Sequence, residues 1–119
     1  MSAIGFKLRL VLPGKRPLGP GKAELMRQIR EHGSISAAGA AMSMSYRRAW
    51  ILVDELNTMF TQPVVVKQTG GKHGGGAELT EFGLRLLARY EEMEEKSRAA
   101  MADELAWLEA NASEPPEEA

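Results

Sequence analysis

Hydrophobic residues follow two different periods along this chain. Between residues 6 and 12 they stand at every second position, with mainly basic residues between them; the apolar set is Phe6, Leu8, Leu10 and Leu12. This alternation predicts a half-buried strand with a basic outer face. Pro13 and Gly14 end the strand, and the Pro- and Gly-rich residues 15–22 predict an irregular connection.

From residue 22 onward the apolar positions recur every three or four residues, which is typical of helices. The first predicted helix covers residues 22–32 and ends at Gly33, a favourable C-cap. Its buried face is expected to consist of Leu25, Met26 and Ile29.

Residues 34–57 have the outline of a helix-turn-helix. Ser36 is predicted to cap a short Ala-rich helix and Ser45 to cap the next helix. Only Ser43 and Met44 lie between the two helices. The small residues 37–41 allow the two helices to cross closely, as the tight packing of this motif requires.

The second helix of this motif separates apolar from polar positions. At about 100° per residue, its inward side holds Ala49, Leu52, Val53, Leu56 and Phe60. Its outward side holds Arg47, Ile51, Asp54 and Thr58. Trp50 lies at the edge of the core side, where packing and contact with DNA are both open interpretations.

Two arginines stand in the first turn of this helix. The positive end of the helix dipole disfavours Arg47 and Arg48 there, so an external partner is expected to hold them. The major groove of DNA fits, because recognition helices present their N-terminal residues to it. Solvated surface charges are the alternative interpretation.

A β-hairpin is predicted after the helix-turn-helix. Residues 63–69 are rich in β-branched side chains and residues 77–79 form a second short strand, with a glycine-dense basic loop between them. The loop can be read as a nucleotide phosphate cradle, a plain turn, or the wing of a winged helix. Its position after the recognition helix favours the wing, in which Lys67, Lys72 and His73 would contact phosphates.

Thr80 is predicted to cap one long helix that runs to about Asn111. So small a domain cannot bury such a helix, so its far half is expected to pack on a second copy of the chain. The predicted dimer interface is Tyr90, Met93, Met101, Leu105 and Leu108. The alternative is a helix that folds back on its own domain.

Composition narrows the class of protein. The chain has 119 residues, enough for one core, and its lack of cysteine excludes disulfides and cysteine-based metal sites. We expect a cytoplasmic protein with no membrane partner, since no long apolar segment or signal sequence is present. His73 has only His32 as a further histidine, so no metal site is predicted.

Charge is segregated along the chain. Residues 1–90 carry 13 Lys and Arg against 6 Asp and Glu, a net charge of +7, whereas residues 91–119 carry 2 against 10, a net charge of −8. A basic body with an acidic extension indicates a polyanionic partner, and double-stranded DNA is the leading one. The alternative is a winged-helix module that binds an acidic protein. No catalytic constellation is visible, so we expect neither an enzyme nor a cofactor.

Several segments resemble the DNA-binding domain of the ModE family, the molybdate-responsive transcription regulators of bacteria. They are GSISAA at residues 33–38, SYRRAW at 45–50, DELN at 54–57, TGGKHGGGA at 69–77 and LTEFG at 79–83. The last segment is also similar to LysR-type regulators. The resemblance covers roughly residues 6–90 and implies a homodimeric winged-helix regulator.

Full-length ModE regulators continue into paired molybdate-binding modules, which this sequence lacks. The resemblance therefore implies a family member that acts alone or beside a separate molybdate-binding protein. The expected DNA contacts are Ser36, Ser45, Tyr46, Arg47, Arg48, Ile51, Lys67, Lys72 and His73.

The expected fold is mainly α with a small β-sheet. A winged helix-turn-helix would occupy residues 1–79, the long dimerisation helix residues 80–111, and a disordered acidic tail residues 112–119.

Overall fold

The computed structural model describes residues 4–68 and 76–115. These ranges hold five helices and two small antiparallel sheets, which confirms a mainly α protein with a small β part. In chain order the elements are β1 (Leu10–Leu12), β2 (Arg16–Leu18), α1 (Pro20–His32), α2 (Ile35–Ala41), α3 (Tyr46–Met59), β3 (Val65–Gln68), β4 (Gly76–Leu79), α4 (Glu81–Ala100) and α5 (Ala102–Asn111).

The N-terminal strand is shorter than its pattern predicts and is paired. Side chains alternate between half-buried and exposed from residue 6 to residue 12 as expected, but only β1 is a strand, and it pairs with β2 in the predicted connection. The turn between them needs left-handed backbone at Gly14 and Lys15 (φ 84° and 60°). Arg16 fixes this hairpin to α3, since its Nη1 donates to the Thr58 carbonyl at 3.0 Å.

Helix α1 begins two residues before its predicted start, at Pro20. Proline suits this first position because its missing N–H would have no partner within the helix. The predicted C-cap is confirmed: Gly33 has φ 69° and donates its N–H to the Ile29 carbonyl at 2.8 Å. The predicted buried face is confirmed as well, by Leu25, Met26 and Ile29.

Ser34, and not Ser36, caps α2. The Ser34 hydroxyl accepts from the Ala37 N–H at 2.9 Å, so the helix starts two residues earlier than predicted and Ser36 lies exposed within its first turn. The expected close crossing is present. A Cβ on Gly39 would lie only 2.9 Å from the Cβ of Ala49, so a larger side chain at either residue would push α2 and α3 apart.

The β3–β4 hairpin is anchored to the helical part at two places. The Ala77 N–H donates to the Gly33 carbonyl at 2.9 Å, at the corner between α1 and α2. On the other side Asn57 of α3 accepts from the N–H groups of Val64 and Val65 and donates to the Val65 carbonyl. The base of the hairpin is therefore held at the corner between α1 and α2 and by the last turn of α3.

The first half of α4 completes the core. Thr80 caps this helix as predicted, accepting from the Gly83 N–H at 2.9 Å. Gly83 is required because a Cβ there would lie 2.3 Å from the Val64 carbonyl oxygen. Leu87 and Tyr90 are buried in the same core as α1 and α3.

The predicted single helix over residues 80–111 is wrong, because the structure divides it at Met101. There the backbone turns (φ −102°, ψ 11°), and the Met101 N–H is shared between the carbonyls of Ser97 and Arg98. The surrounding residues are good helix formers, and nothing in the local sequence explains the break. Within residues 4–68 and 76–115, no helix has the length and apolar character that crossing a membrane demands.

Candidate nucleic-acid interface

The first turn of α3 presents an exposed polar cluster. Ser45 caps this helix as predicted, accepting from the Arg48 N–H at 3.0 Å. Tyr46 is 59% exposed, and Arg47 and Arg48 are exposed too. The guanidinium groups of Arg47 and Arg48 have no ion-pair or hydrogen-bond partner among the described residues. Six salt bridges join other residues of this described part.

The two sides of α3 are divided as the periodicity predicts. Ala49, Leu52, Val53 and Leu56 are buried, whereas Arg47, Ile51, Asp54 and Thr58 are exposed. Phe60 has already left the helix and is half-buried, with its ring 5.7 Å from that of Phe82. One side of α3 is thus fixed to the core, and the other is open along its length.

The far end of α3 is tied back to the body of the protein. Lys22 of α1 is almost fully buried, and its ammonium donates to the Pro17 carbonyl at 2.8 Å and pairs with Glu55 at 3.0 Å. Arg16 holds the Thr58 carbonyl in the same region, beside a cavity of about 370 Å³. These contacts leave the N-terminal end of α3 as its free end.

Trp50 links α3 to the hairpin. Its ring packs against the core, makes an edge contact with Tyr46 (centroids 6.1 Å apart) and lies 4.5 Å below the ammonium of Lys67 on β3. Its buried indole N–H has no hydrogen-bond acceptor in the described part of the chain. The structure therefore brings Lys67 beside the arginine-bearing helix.

Not every expected DNA contact is in this cluster. Ser45, Tyr46, Arg47 and Arg48 share one turn of α3, with Ile51 one turn further and Lys67 over Trp50. Ser36 is exposed on α2. Lys72 and His73 lie outside the described residues. In those ranges no three His, Asp or Glu side chains are grouped to hold a metal ion.

The predicted dimer surface is partly covered by the chain itself. Tyr90 is 1% exposed and donates its hydroxyl to the Leu8 carbonyl at 2.6 Å, and Leu105 is 5% exposed. Neither residue therefore offers an open side chain, because each one is buried within its own chain. Met93 and Met101 are half-buried, whereas Leu108 is 46% exposed and its neighbour Trp107 is 65% exposed.

Sequence reasoning did not single out Asn57 or Lys22. Asn57 stands in the last turn of α3, and an amide there can serve a following strand as both donor and acceptor, as it does here. Lys22 sits in the first turn of an amphipathic helix, where its charge predicts exposure. Only the folded hairpin, which supplies the Pro17 carbonyl, explains its burial.

Comparison with known proteins finds relatives that are named ModE or named for molybdenum. The molybdenum transport protein ModE of Azotobacter vinelandii is 34% identical over 103 residues, which cover 85% of this chain and 38% of that protein. The transcriptional regulator ModE of Yersinia pestis is 40% identical over 72 residues, 60% of this chain and 27% of that protein. The molybdenum-pterin-binding protein MopA of Rhodobacter capsulatus is 35% identical over 108 residues, 91% of this chain and 39% of that protein.

The chain thus spans between 27% and 39% of the length of these relatives. No protein-family model matches it. The similarity supports a ModE-like, molybdenum-related family, in agreement with the resemblance of its sequence segments. The names of these three relatives describe transport, regulation and pterin binding, and none of the three names is that of an enzyme.

Proposed function

We propose that this chain, as a relative of regulators named ModE, is a homodimeric winged helix-turn-helix protein that binds double-stranded DNA and regulates transcription. The observation that carries the proposal is the first turn of α3. Arg47 and Arg48 are exposed there and have no partner among the residues that the structure describes, at the end of the helix where the backbone dipole already disfavours cations. Phosphates and guanine edges supply the missing negative potential.

The packing of α3 supports insertion of this end into a major groove. Its inner side is buried, and its C-terminal end is held by Arg16 and Lys22, so the outer side of its N-terminal half is the part that can approach a duplex deeply. The β3–β4 hairpin then acts as the wing, with Lys67 on a phosphate. Lys72 and His73 belong to the same proposal, as further phosphate contacts.

Two copies are needed for useful specificity. One recognition helix reads only a few base pairs, and paired helices about 34 to 36 Å apart read successive major grooves. We assign the contact between the two copies to α4 and α5, through Leu108, Met93 and Met101. Trp107, which was not in the predicted dimer interface, is added to it. The names of two relatives mention molybdenum, so we propose that the regulated process is linked to molybdenum and that a separate protein binds molybdate.

The proposal is tested by fluorescence anisotropy on duplexes selected from a random pool. Arg47→Ala is expected to weaken binding of the selected duplex by about 1 to 3 kcal/mol, and Arg48→Ala to weaken it further. Lys96→Ala is the control, because it removes an exposed cation from the acidic half of α4. Unchanged affinity of the Arg47→Ala, Arg48→Ala double variant, or a failure to select any duplex, would exclude α3 as a recognition helix.

A further inference from the structure

Ile51 occupies an unusual place on α3. This residue is 39% exposed on the outward side of α3. On this stripe of outward residues, Arg47 lies one turn before Ile51 and Asp54 lies one turn after it. The other exposed residues of α3 are polar or aromatic: Tyr46, Arg47, Arg48, Asp54, Glu55 and Thr58. The core does not need this side chain, since the neighbouring Leu52 and Val53 are the buried ones.

The chemistry of Ile51 limits what it can contact on a duplex. A phosphate offers nothing to an aliphatic side chain, and it repels the carboxylate of Asp54 in the next turn. The stripe therefore faces base edges and not the backbone. Among the groups that bases present in the major groove, the 5-methyl group of thymine is the apolar one.

We infer, as an extension of the proposed DNA binding, that Ile51 reads the 5-methyl group of a thymine. Four residues of helix separate Ile51 from Arg47, a rise of about 6 Å. Base pairs are about 3.4 Å apart, so the thymine lies within about two base pairs of the position contacted by Arg47. Each half-site thus has an A·T pair at a fixed distance from the arginine contact.

The test replaces thymine by deoxyuridine, which lacks only the methyl group, at each thymine of a selected duplex in turn. Removing the methyl that Ile51 contacts is expected to weaken binding of the wild-type protein about three- to tenfold, as for loss of one buried apolar carbon. The Ile51→Ala protein is expected to bind the thymine and deoxyuridine duplexes equally. Hydroxyl-radical footprints of the wild-type protein and of Arg47→Ala are compared to locate the arginine contact on the duplex. The number of base pairs between this contact and the thymine can then be counted.

Val11→Ala is the matched control variant. Val11 is an exposed aliphatic residue on β1, in the hairpin that Arg16 fixes to the opposite end of α3. This variant is expected to keep the full preference for thymine. The inference is overturned if wild-type protein shows no preference at any thymine, or if Ile51→Ala keeps the preference. Failure to bind any duplex would instead overturn the proposed function, and the inference with it.

Discussion

Lys67 and Trp50 show how single residues shape the proposed interface. The Lys67 ammonium is held 4.5 Å from the indole ring, an attraction worth about 0.5 to 1 kcal/mol at an exposed site. This contact restricts a flexible side chain of β3 to the side of the hairpin that faces α3. A cation confined in this way loses less conformational entropy when it meets a phosphate.

Lys67→Ala is expected to reduce the dependence of binding on salt, because one fewer counterion is released from the duplex. The slope of log K against log salt concentration should fall in magnitude by about one, and selected and random duplexes should be weakened about equally. Anisotropy titrations at four salt concentrations measure both. Arg89→Ala, which removes an exposed cation of α4, is the control. A loss confined to the selected duplex would contradict a phosphate contact.

The elements differ in how far the sequence predicts them. Caps with a clear polar partner were predictable: Ser45, Thr80 and Gly33 all act as expected. The cap of α2 was not predictable. Ser34 and Ser36 have equally suitable hydroxyl groups, and only the path of the backbone after Gly33 selects Ser34. Strand β2 was missed because its pairing partner, and not its own Arg-Pro-Leu sequence, makes it a strand.

Helix α5 carries two of the large hydrophobic side chains that are exposed among the described residues. Trp107 and Leu108 follow one another in the chain and are both exposed, while Leu105 is buried within the chain. Exposed neighbouring apolar residues of this size mark an interaction surface. The break at Met101 also means that α5 needs its own stabilising contacts, which a partner copy would supply.

We therefore predict that the Trp107→Glu, Leu108→Glu double variant is monomeric, because two carboxylates cannot be buried unpaired in an interface. Sedimentation velocity on this variant and on wild-type protein measures the change. Ala88→Glu, which adds a charge on an exposed residue of α4, is expected to leave the dimer intact. A monomeric wild-type protein would refute the proposed dimer, and a double variant that still dimerises would place the interface elsewhere.

At the scale of the whole molecule, Arg27 joins the basic body to the acidic extension. Its guanidinium contacts Glu24 in α1 at 3.0 Å, Glu91 at 3.0 Å and Glu94 at 3.3 Å in α4. The charge segregation was evident in the sequence. That one arginine takes up part of the acidic charge was not, because the periodicity of each helix says nothing about which faces meet.

Within this cluster, Glu24 gives the free energy of unfolding a dependence on pH. A hydrogen bond from Gln28 lowers the pKa of the Glu24 carboxyl; burial opposes the shift, and Arg27 adds to it. A carboxylate with a lowered folded pKa stabilises the protein above its unfolded pKa, near 4.3, and that stability is lost as the pH falls through the folded pKa. Glu24 is partly exposed, so solvent screening keeps the effect small.

We predict that the free energy of unfolding falls between about pH 5 and pH 3, and that Arg27→Met reduces this fall by removing the contribution of Arg27 to the lowered pKa of Glu24. Urea unfolding at a series of pH values measures it. Arg85→Met is the comparison, since Arg85 is an exposed residue of α4 that pairs with no carboxylate among the described residues. Parallel pH profiles for wild-type protein and Arg27→Met would exclude the contact between Arg27 and Glu24 as a source of the pH dependence.

The side chain of Asn57 limits what the chain can tolerate at this position. It accepts from two peptide N–H groups and donates to one peptide carbonyl at the same time. Aspartate keeps the acceptor but has no donor when ionised, alanine has neither, and glutamine places the amide one carbon further from the backbone. Although Asn57 contacts no proposed partner, asparagine is the one residue type whose side chain makes all three of these hydrogen bonds from this position.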